Sequence, residues 1–331
     1  MSLGMPRKVA FSITGVTRHQ LYHKPSNNPV GRKASKLTLK KDLSTGLVYE
    51  VLNEEVVKTI ISIKEDPDQA DWYKLICYTL KVKGYYINHK KVYRLMSDYH
   101  LLEVAKRKKG RNFVKFRRVT PSAPLEILEM DIKYVWIEDR GKYGYILTVI
   151  DTFTRYVLAW RVGASMREAQ VKQVWDQIII EYLQPANLLE KKIDIEVRND
   201  NGRQFASKMI QAYFQANHLN QVFTHPYTPE ENAHVERFHR TLGKSLKKES
   251  FKDLKQVQIR LERFYKTYNN NRQHGSIAML SPSMFWALFE DNQIKVTQLP
   301  KKRLKFSLKI AYQDVLNWKD INRYHYREMK T

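Results

Sequence analysis

The chain has 331 residues, a mass of 39.4 kDa and a hydrophobic fraction of 43%, which fits a globular protein of about two domains. We expect neither a membrane span nor a secretory signal, because no apolar run reaches the ~18 residues that a span needs and no apolar block precedes a cleavage site. The single cysteine, Cys77, excludes an intrachain disulfide and a multi-cysteine zinc site.

The formal net charge of +24 indicates a polyanionic partner, for which DNA, RNA and an anionic membrane all qualify. Residues 120–236 hold 16 acidic and 12 basic residues, whereas the rest of the chain holds 18 acidic and 46 basic residues. Lys and Arg contact phosphates, and carboxylates bind divalent cations, so this distribution favours a carboxylate site between nucleic-acid-binding flanks. A solvated basic surface is the alternative that charge alone leaves open.

The first 41 residues contain nine Lys or Arg and no acidic residue, and we predict a short helix near Val9–Tyr22 followed by a basic loop. From Asn53, apolar residues recur at helical spacing in three short segments that end near Tyr99. The third segment exposes basic residues away from its apolar stripe, as the recognition helix of a helix-turn-helix does, although an ordinary helical bundle explains the pattern as well. These basic residues are Lys90, Lys91 and Arg94.

A basic run at residues 106–118 contains eight Lys or Arg and no acid. It predicts a linker at 106–119 that separates an amino-terminal arm and helical DNA-binding region at 1–105 from a core at 120–290, with a basic tail at 291–331. Such a run is usually solvated, but it can also follow a phosphate backbone. The candidate contacts in it are Lys106, Arg107, Lys108 and Lys109.

The core pattern predicts the element order βββαβαβα, and therefore an α/β fold with a mixed sheet flanked by helices. Three strands are expected at Ile127–Ile137, Tyr143–Ile150 and Arg155–Val162, followed by a helix that a capping box of Ser165 and Glu168 begins and Pro185 ends. The later elements are a strand at Ile193–Arg198, a helix near Ser207–Ala216, a strand at Gln221–Thr224 and a helix from about Glu230.

Three carboxylates are candidates for a metal site. Asp131 lies in mid-strand, where Asp has a low propensity, and alternation places it on one face with Glu129 and Lys133. Asp200 follows a strand directly, and Glu236 lies at the edge of the buried face of the last helix. Such a set can hold two Mg²⁺ ions against a phosphodiester, whereas singly each residue is explained as a turn or a surface carboxylate.

Four stretches around these residues, and a carboxy-terminal set, resemble DDE-type insertion-sequence transposases with a retroviral-integrase-like catalytic core. Thirty-five residues separate Asp200 from Glu236, the interval after which the D,D(35)E group is named. The resemblance covers about residues 50–290. The four stretches are Glu129-Met130-Asp131-Ile132, Val149-Ile150-Asp151 with Thr154-Arg155, Asn199-Asp200-Asn201-Gly202 with Phe205, and His225-Pro226-Tyr227-Thr228-Pro229 through Asn232 to Glu236-Arg237-Phe238. The carboxy-terminal set is Tyr268-Asn269, Arg272, His274, Leu280-Ser281-Pro282 and Phe285-Trp286.

The resemblance implies a ribonuclease-H-like fold in which Asp131, Asp200 and Glu236 are catalytic and bind Mg²⁺, with Mn²⁺ as a substitute. Asp151 is interpreted as a turn or cap residue, and the roles of Asn201 and Asn232 stay open between orienting ligands and capping backbone. Asn199 and Arg203-Gln204 depart from the usual family residues, which are Ser or Thr and Pro-Glu. The candidate DNA contacts near the site are Arg240, Lys244 and Lys247.

By the same resemblance, the enzyme cuts the ends of a mobile element and joins them to target DNA by hydrolysis and transesterification. The expected partners are double-stranded DNA, a second copy of the chain and a DNA-binding subunit from an upstream reading frame, in the cytoplasm of a bacterium at the nucleoid. A stand-alone metal-dependent nuclease and an inactive, domesticated DNA-binding regulator are the alternatives. Cleavage without joining would distinguish the nuclease from the transposase, and DNA binding without strand chemistry would distinguish the regulator.

Overall fold

The computed structural model describes residues 7–17, 22, 35–103, 119–190, 194–225, 229–300 and 303–317. The chain divides into two compact units, residues 1–36 and 37–331. In the first unit, helix α1 covers Arg7–Thr14. The prediction placed its end too late, because Gly15 takes a left-handed conformation at φ +67° and donates its N–H to the Phe11 carbonyl, which ends the helix.

The second unit begins with a small sheet packed against three helices. Strands β1 (Leu37–Lys41) and β2 (Val48–Leu52) form an antiparallel hairpin, and β3 (Tyr85–Tyr86) pairs with the other edge of β1. The sequence analysis missed this hairpin, since Thr38 is buried and Leu39 exposed, the reverse of an amphipathic strand. The three helices were predicted and are α2 (Asn53–Glu65), α3 (Tyr73–Val82) and α4 (His89–Asp98).

The connection between α3 and α4 depends on Gly84. Its φ is +93°, and a Cβ at this position would collide with the carbonyl oxygen of Lys41. Glycine is therefore required both by the backbone conformation and by the close approach of β1. Asn88 then begins α4 by accepting a hydrogen bond from the Lys91 N–H at 2.9 Å. The assignment of α4 as a recognition helix stays a prediction.

A five-stranded mixed sheet forms the centre of the core, with the strand order β6-β5-β4-β7-β8. The first three strands along the chain are antiparallel neighbours, whereas β4, β7 and β8 run parallel. This confirms the predicted α/β class and element order. The strands are β4 (Ile127–Ile137), β5 (Lys142–Asp151), β6 (Val157–Gly163), β7 (Ile195–Asn199) and β8 (Leu219–Phe223).

Helices cover both faces of this sheet. Helices α5 (Glu168–Ile178) and α6 (Lys208–Ala216) pack on one face around the fully buried Trp175, which stacks edge to face on Phe214. Helices α7 (Ala233–Leu246) and α8 (Leu254–Asn270) pack on the other face. Alternation in β4 follows this division, because Leu128 and Met130 point to the first core and Val135 and Ile137 to the second.

Two helix boundaries differ from the predictions. Helix α5 begins at Glu168. The predicted capping box paired Ser165 with Glu168, whereas in the structure the Gln170 side chain accepts a hydrogen bond from the Arg167 N–H. The capping box prediction was therefore wrong by two residues, although the helix was placed correctly. A one-turn 3₁₀ segment at Pro229–Asn232 precedes α7, so this helix begins three residues later than expected.

The carboxy-terminal residues add a second layer beside the core. Helix α9 (Pro282–Glu290) is followed by an antiparallel hairpin of β9 (Ile294–Leu299) and β10 (Arg303–Leu308). Phe153, from the turn after β5, packs edge to face against Phe289 and Phe306. Part of the predicted tail is therefore folded structure that covers an apolar patch of the core.

The helical region at 37–103 is attached to the core through a buried ion pair. Asp68 is fully buried, and its two carboxylate oxygens accept hydrogen bonds from Arg260 of α8 at 2.8 and 3.0 Å. Ser245 of α7 donates a further hydrogen bond to the same carboxylate. Because a buried charge left without its partner is costly, these contacts hold the loop after α2 against α7 and α8.

Candidate catalytic site

The strand register brings two of the three candidate carboxylates together. On the parallel neighbours β4 and β7, Glu129 lies opposite Arg198, so that Asp131 and Asp200, each two residues further, lie at matching positions. Adjacent strands are about 4.8 Å apart, and the negative charge of Asp131 acts on Asp200, so the two carboxylates lie near each other. The parallel pairing of the two strands therefore creates the candidate site.

The electrostatics of Asp200 include the effect of the Asp131 charge. Desolvation raises the pKa of Asp200, a hydrogen bond from the Gly202 N–H at 3.0 Å lowers it, and the negative charge of Asp131 raises it again. The net shift is upward. A carboxylate whose ionisation is disfavoured by burial and by a neighbouring carboxylate is a donor expected where a cation binds.

A histidine that the sequence analysis did not select orients Asp131. His239, on α7, is buried, and its Nδ1 lies 3.2 Å from Oδ2 of Asp131. The other carboxylate oxygen of Asp131 accepts the Ile132 N–H at 2.7 Å. The signal that the sequence offered was spacing, since His239 follows Glu236 by three residues and so lies on the same side of the helix.

Glu129 attaches the beginning of α7 to strand β4. Its side chain is fully buried, and one carboxylate oxygen accepts hydrogen bonds from the N–H groups of His234 and Val235, both at 2.8 Å. The second oxygen lies 2.6 Å from Nδ1 of His234. A carboxylate at these positions satisfies donors that a helix leaves unpaired in its first turn, and it interacts favourably with the helix dipole. Asp131 and Glu236 are thereby carried by two elements that are tied together.

Glu236 lies in the first turn of α7, half-buried and directly after the residues that Glu129 holds. Among the residues that the structure describes, no group of three or more His, Cys, Asp or Glu side chains is arranged closely enough to hold a metal ion. The structure therefore brings Asp131 together with Asp200 and with His239. It places Glu236 on the adjoining helix without gathering all three carboxylates.

Three further residues from the motifs have structural roles. Asp151 is fully buried and accepts hydrogen bonds from the N–H and the hydroxyl of Thr154, so it stabilises the turn after β5, in line with its predicted turn or cap role. Asn201 donates to the Thr224 carbonyl at 3.2 Å. Asn232 donates to the Met130 carbonyl at 3.3 Å, which ties the 3₁₀ turn to β4. Both asparagines thus contact backbone.

The candidate DNA contacts lie in different environments. Lys90 is exposed on α4, whereas the ammonium of Lys91 donates to the Leu37 carbonyl at 2.6 Å. Lys244 is paired with Asp71 and Glu103 of the helical region, so its charge is partly used within the chain. Arg94 is half-buried, and the two remaining described candidates, Arg240 on α7 and Lys247 directly after it, are exposed. Lys106, Arg107, Lys108 and Lys109 fall outside the described residues.

In the described part of the chain, no helix has the length and apolar character that crossing a membrane requires. The order of strands and helices, with Asp131 within β4, Asp200 directly after the parallel strand β7 and Glu236 on a later helix, agrees with the α/β core that the sequence predicts.

Comparison with known proteins shows what this core is similar to. Residues 121–229 match the family model described as an integrase core domain, and residues 217–282 match a second model of the same description. These two stretches of the chain are thus similar to integrase core domains.

Relatives include proteins of two insertion elements. The chain is 28% identical over 210 residues to an uncharacterized 39.2 kDa protein of insertion element IS476 from Xanthomonas euvesicatoria, a match that spans 62% of this chain and 58% of that protein. It is 24% identical over 240 residues to the putative transposase InsK of insertion sequence IS150 from Escherichia coli, across 69% of this chain and 81% of InsK. Among solved structures, the catalytic core domain of BIV integrase is similar at 18% identity and a TM-score of 0.36, over 51% of this chain and 97% of that domain.

Proposed function

We propose that the chain is a DNA transposase that cleaves the ends of a mobile element and joins them to target DNA. The observation that carries this proposal is the pair formed by Asp131 and Asp200 on neighbouring parallel strands of an integrase core, with Glu236 on the helix that Glu129 attaches to the same strand. Phosphodiester hydrolysis and transesterification require no covalent enzyme intermediate, which agrees with a site made of carboxylates.

The donor set fits a divalent cation. Asp131 and Asp200 offer hard oxygen ligands, and burial together with the negative charge of Asp131 raises the pKa of Asp200, so a bound cation would favour the ionised form of Asp200. We assign Asp131, Asp200 and Glu236 as the residues that would hold Mg²⁺, with Mn²⁺ as a substitute. Glu236 would reach the ion by a change in its side-chain conformation. When bound, such ions activate a water or hydroxyl and stabilise the charge that develops on the phosphate.

The surrounding residues of the chain hold these ligands in place. His239 and the Ile132 N–H each contact one oxygen of Asp131, so the orientation of this carboxylate is set before a ligand binds. The Gly202 N–H does the same for Asp200. Groups that orient metal ligands commonly change affinity or activity by about 10- to 100-fold when they are removed.

The substrate in this proposal is double-stranded DNA. The net charge of +24 favours a polyanion, and residues 120–236, which hold the carboxylates, are slightly acidic between basic flanks. Joining two element ends requires two active sites, so we propose that at least two copies of the chain assemble on DNA. A DNA-binding subunit from an upstream reading frame, and a place in the cytoplasm at the nucleoid, belong to the same proposal.

The decisive experiment measures Mg²⁺- and Mn²⁺-dependent cleavage and joining of duplex DNA that carries the sequences flanking the gene. Glu236→Gln should keep DNA binding and lose at least about a thousandfold in rate, because it removes a charged metal ligand. Glu262→Gln, the same change at an exposed position of α8, is the matched control and should behave like the wild type.

The outcomes separate the proposal from its alternatives. Joined products from the wild type and from Glu262→Gln, but not from Glu236→Gln, support the transposase. Cleavage without joining indicates a nuclease of the same fold, and tight binding without chemistry indicates a regulator. Retained cleavage by Glu236→Gln rejects the assignment of the three carboxylates.

A further inference from the structure

A row of positions runs along the exposed edge of α7, starting from Glu236. At 100° per residue, residues 240, 243 and 247 lie within about 40° of Glu236 around the helix axis. Arg240 and Lys247 are exposed and basic, but the position between them is Gly243, which has no charge of its own. Helix α7 by itself therefore supplies an interrupted row of positive charge.

Strand β4 supplies the missing charge. Lys133 lies two residues after Asp131 on the same face of β4, and its ammonium reaches Gly243. A Cβ placed on Gly243 would lie 3.3 Å from Nζ and 3.4 Å from Cε of Lys133. Such contacts are tighter than ordinary van der Waals distances, so a Cβ at 243 would displace the tip of the lysine by a few tenths of an ångström, and a larger side chain would displace it further.

The charge of Lys133 is not used by any described part of the chain. Its side chain is half-buried, and within the described ranges no hydrogen bond or ion pair of its ammonium is present. Partial burial of a cation costs free energy unless an anion compensates for it. Lys244, in contrast, lies one residue after Gly243 and is paired with Asp71 and Glu103.

We propose that Lys133, Arg240 and Lys247 form a phosphate track, with Lys133 as its central member and Gly243 as the notch that admits it. Its ligand is the phosphodiester backbone of the DNA that enters the carboxylate site, so this inference rests on the proposed function. Residues 240 and 247 are about 10 Å apart along the helix axis, which corresponds to about three nucleotides of rise in one DNA strand.

The test measures binding of a fluorescein-labelled duplex, carrying the sequences that flank the gene, in EDTA between about 50 and 200 mM salt. One lost phosphate contact should weaken binding by about five- to tenfold at 0.1 M salt and reduce the salt slope by about one. We expect this from Lys133→Met, which keeps an apolar stem. Lys133→Arg should restore both values.

Two further variants separate the track from a general effect of charge or folding. Gly243→Leu keeps every charge but fills the notch, and it should weaken binding as Lys133→Met does. Lys172→Met removes the same charge from α5 on the opposite face of the sheet, where Lys172 pairs with Asp176, and it should bind like the wild type. Each variant is compared at a temperature where its thermal unfolding curve shows that it is folded.

The inference is overturned if Lys133→Met keeps the affinity and salt slope of the wild type, or if it loses no more than Lys172→Met. It is also overturned if Gly243→Leu binds normally. Because no metal is present and no cleavage is measured, a protein without catalytic activity still gives a result on the track. Absence of DNA binding by the wild type contradicts the track and the proposed function together, whereas absence of strand chemistry alone contradicts only the latter.

Discussion

The two faces of the central sheet are built by different means. On the face covered by α5 and α6, β4 contributes Leu128 and Met130, and the contacts are almost wholly apolar. On the face covered by α7, the same strand contributes the acidic and basic side chains Glu129, Asp131 and Lys133.

The difference shows where this strand uses charged side chains, which can form a chemical site, in place of apolar side chains. The first face stabilises the sheet by packing alone, which is non-directional and tolerates small shifts. The second face also has an apolar core, but there Glu129 accepts hydrogen bonds from two N–H groups of α7 and Asp131 contacts His239. These directed contacts fix the position of the helix and of Glu236. Both apolar cores should therefore contribute to stability, whereas activity should depend mostly on the second face.

The largest expected effect on stability is on the apolar face. Trp175→Ala should lower the free energy of unfolding by about 3–5 kcal/mol, because it leaves a cavity beneath Phe214 and removes a fully buried side chain. Denaturant titration measures the loss. Below the unfolding transition, DNA cleavage by this variant should stay within about twofold of wild type. A large loss of activity in the folded variant would contradict the division between the faces.

The next largest expected effect on stability comes from Glu129, on the face covered by α7. Glu129→Ala should cost about 2–3 kcal/mol, since it leaves two backbone N–H groups and His234 without their acceptor. Activity should fall by a further 10- to 100-fold in the folded fraction, and the Mn²⁺ concentration for half-maximal rate should rise. Glu129→Gln, which keeps an acceptor oxygen, should recover much of the lost stability and of the lost activity. Normal metal dependence in Glu129→Ala would show that α7 does not need this attachment.

The smallest expected effect is an increase in stability rather than a loss. The folded protein raises the pKa of Asp200 above the usual 3.8, so ionisation of this residue lowers stability as pH rises through the shifted value. In EDTA at pH 7, Asp200→Asn should therefore raise the melting temperature by up to about 2 °C, a gain that shrinks as the pH falls towards 3.8. Added Mg²⁺ should stabilise the wild type and not the variant. A variant that melts below the wild type in EDTA at pH 7 would contradict the charge repulsion.

Much of the core was predictable from local pattern. Strand β4 begins and ends at the predicted residues, because eleven alternating positions rich in β-branched and aromatic side chains give a strong period of two. The position of Asp200 after a strand was predictable for the same reason. Its closeness to Asp131 depends on the parallel pairing of β4 and β7, which the sequence analysis did not predict.

The contacts that the sequence did not reveal are those between distant elements. Glu129 could be placed on the same face as Asp131, but its partners lie 105 and 106 residues further along the chain. His239 contacts Asp131 across 108 residues. The hairpin of β1 and β2 was missed because its exposed leucines conceal the period of the strand. The notch at Gly243 exists only once α7 lies against β4.

The most direct test of the account is a crystal structure of the protein with Mn²⁺, using the anomalous signal of the metal. The account predicts Mn²⁺ between Asp131 and Asp200, with a carboxylate oxygen of Glu236 turned towards it and α7 still attached to Glu129. Mn²⁺ bound by other residues, or no Mn²⁺ signal at Asp131 and Asp200 at saturating concentration, would contradict the assignment of the catalytic site.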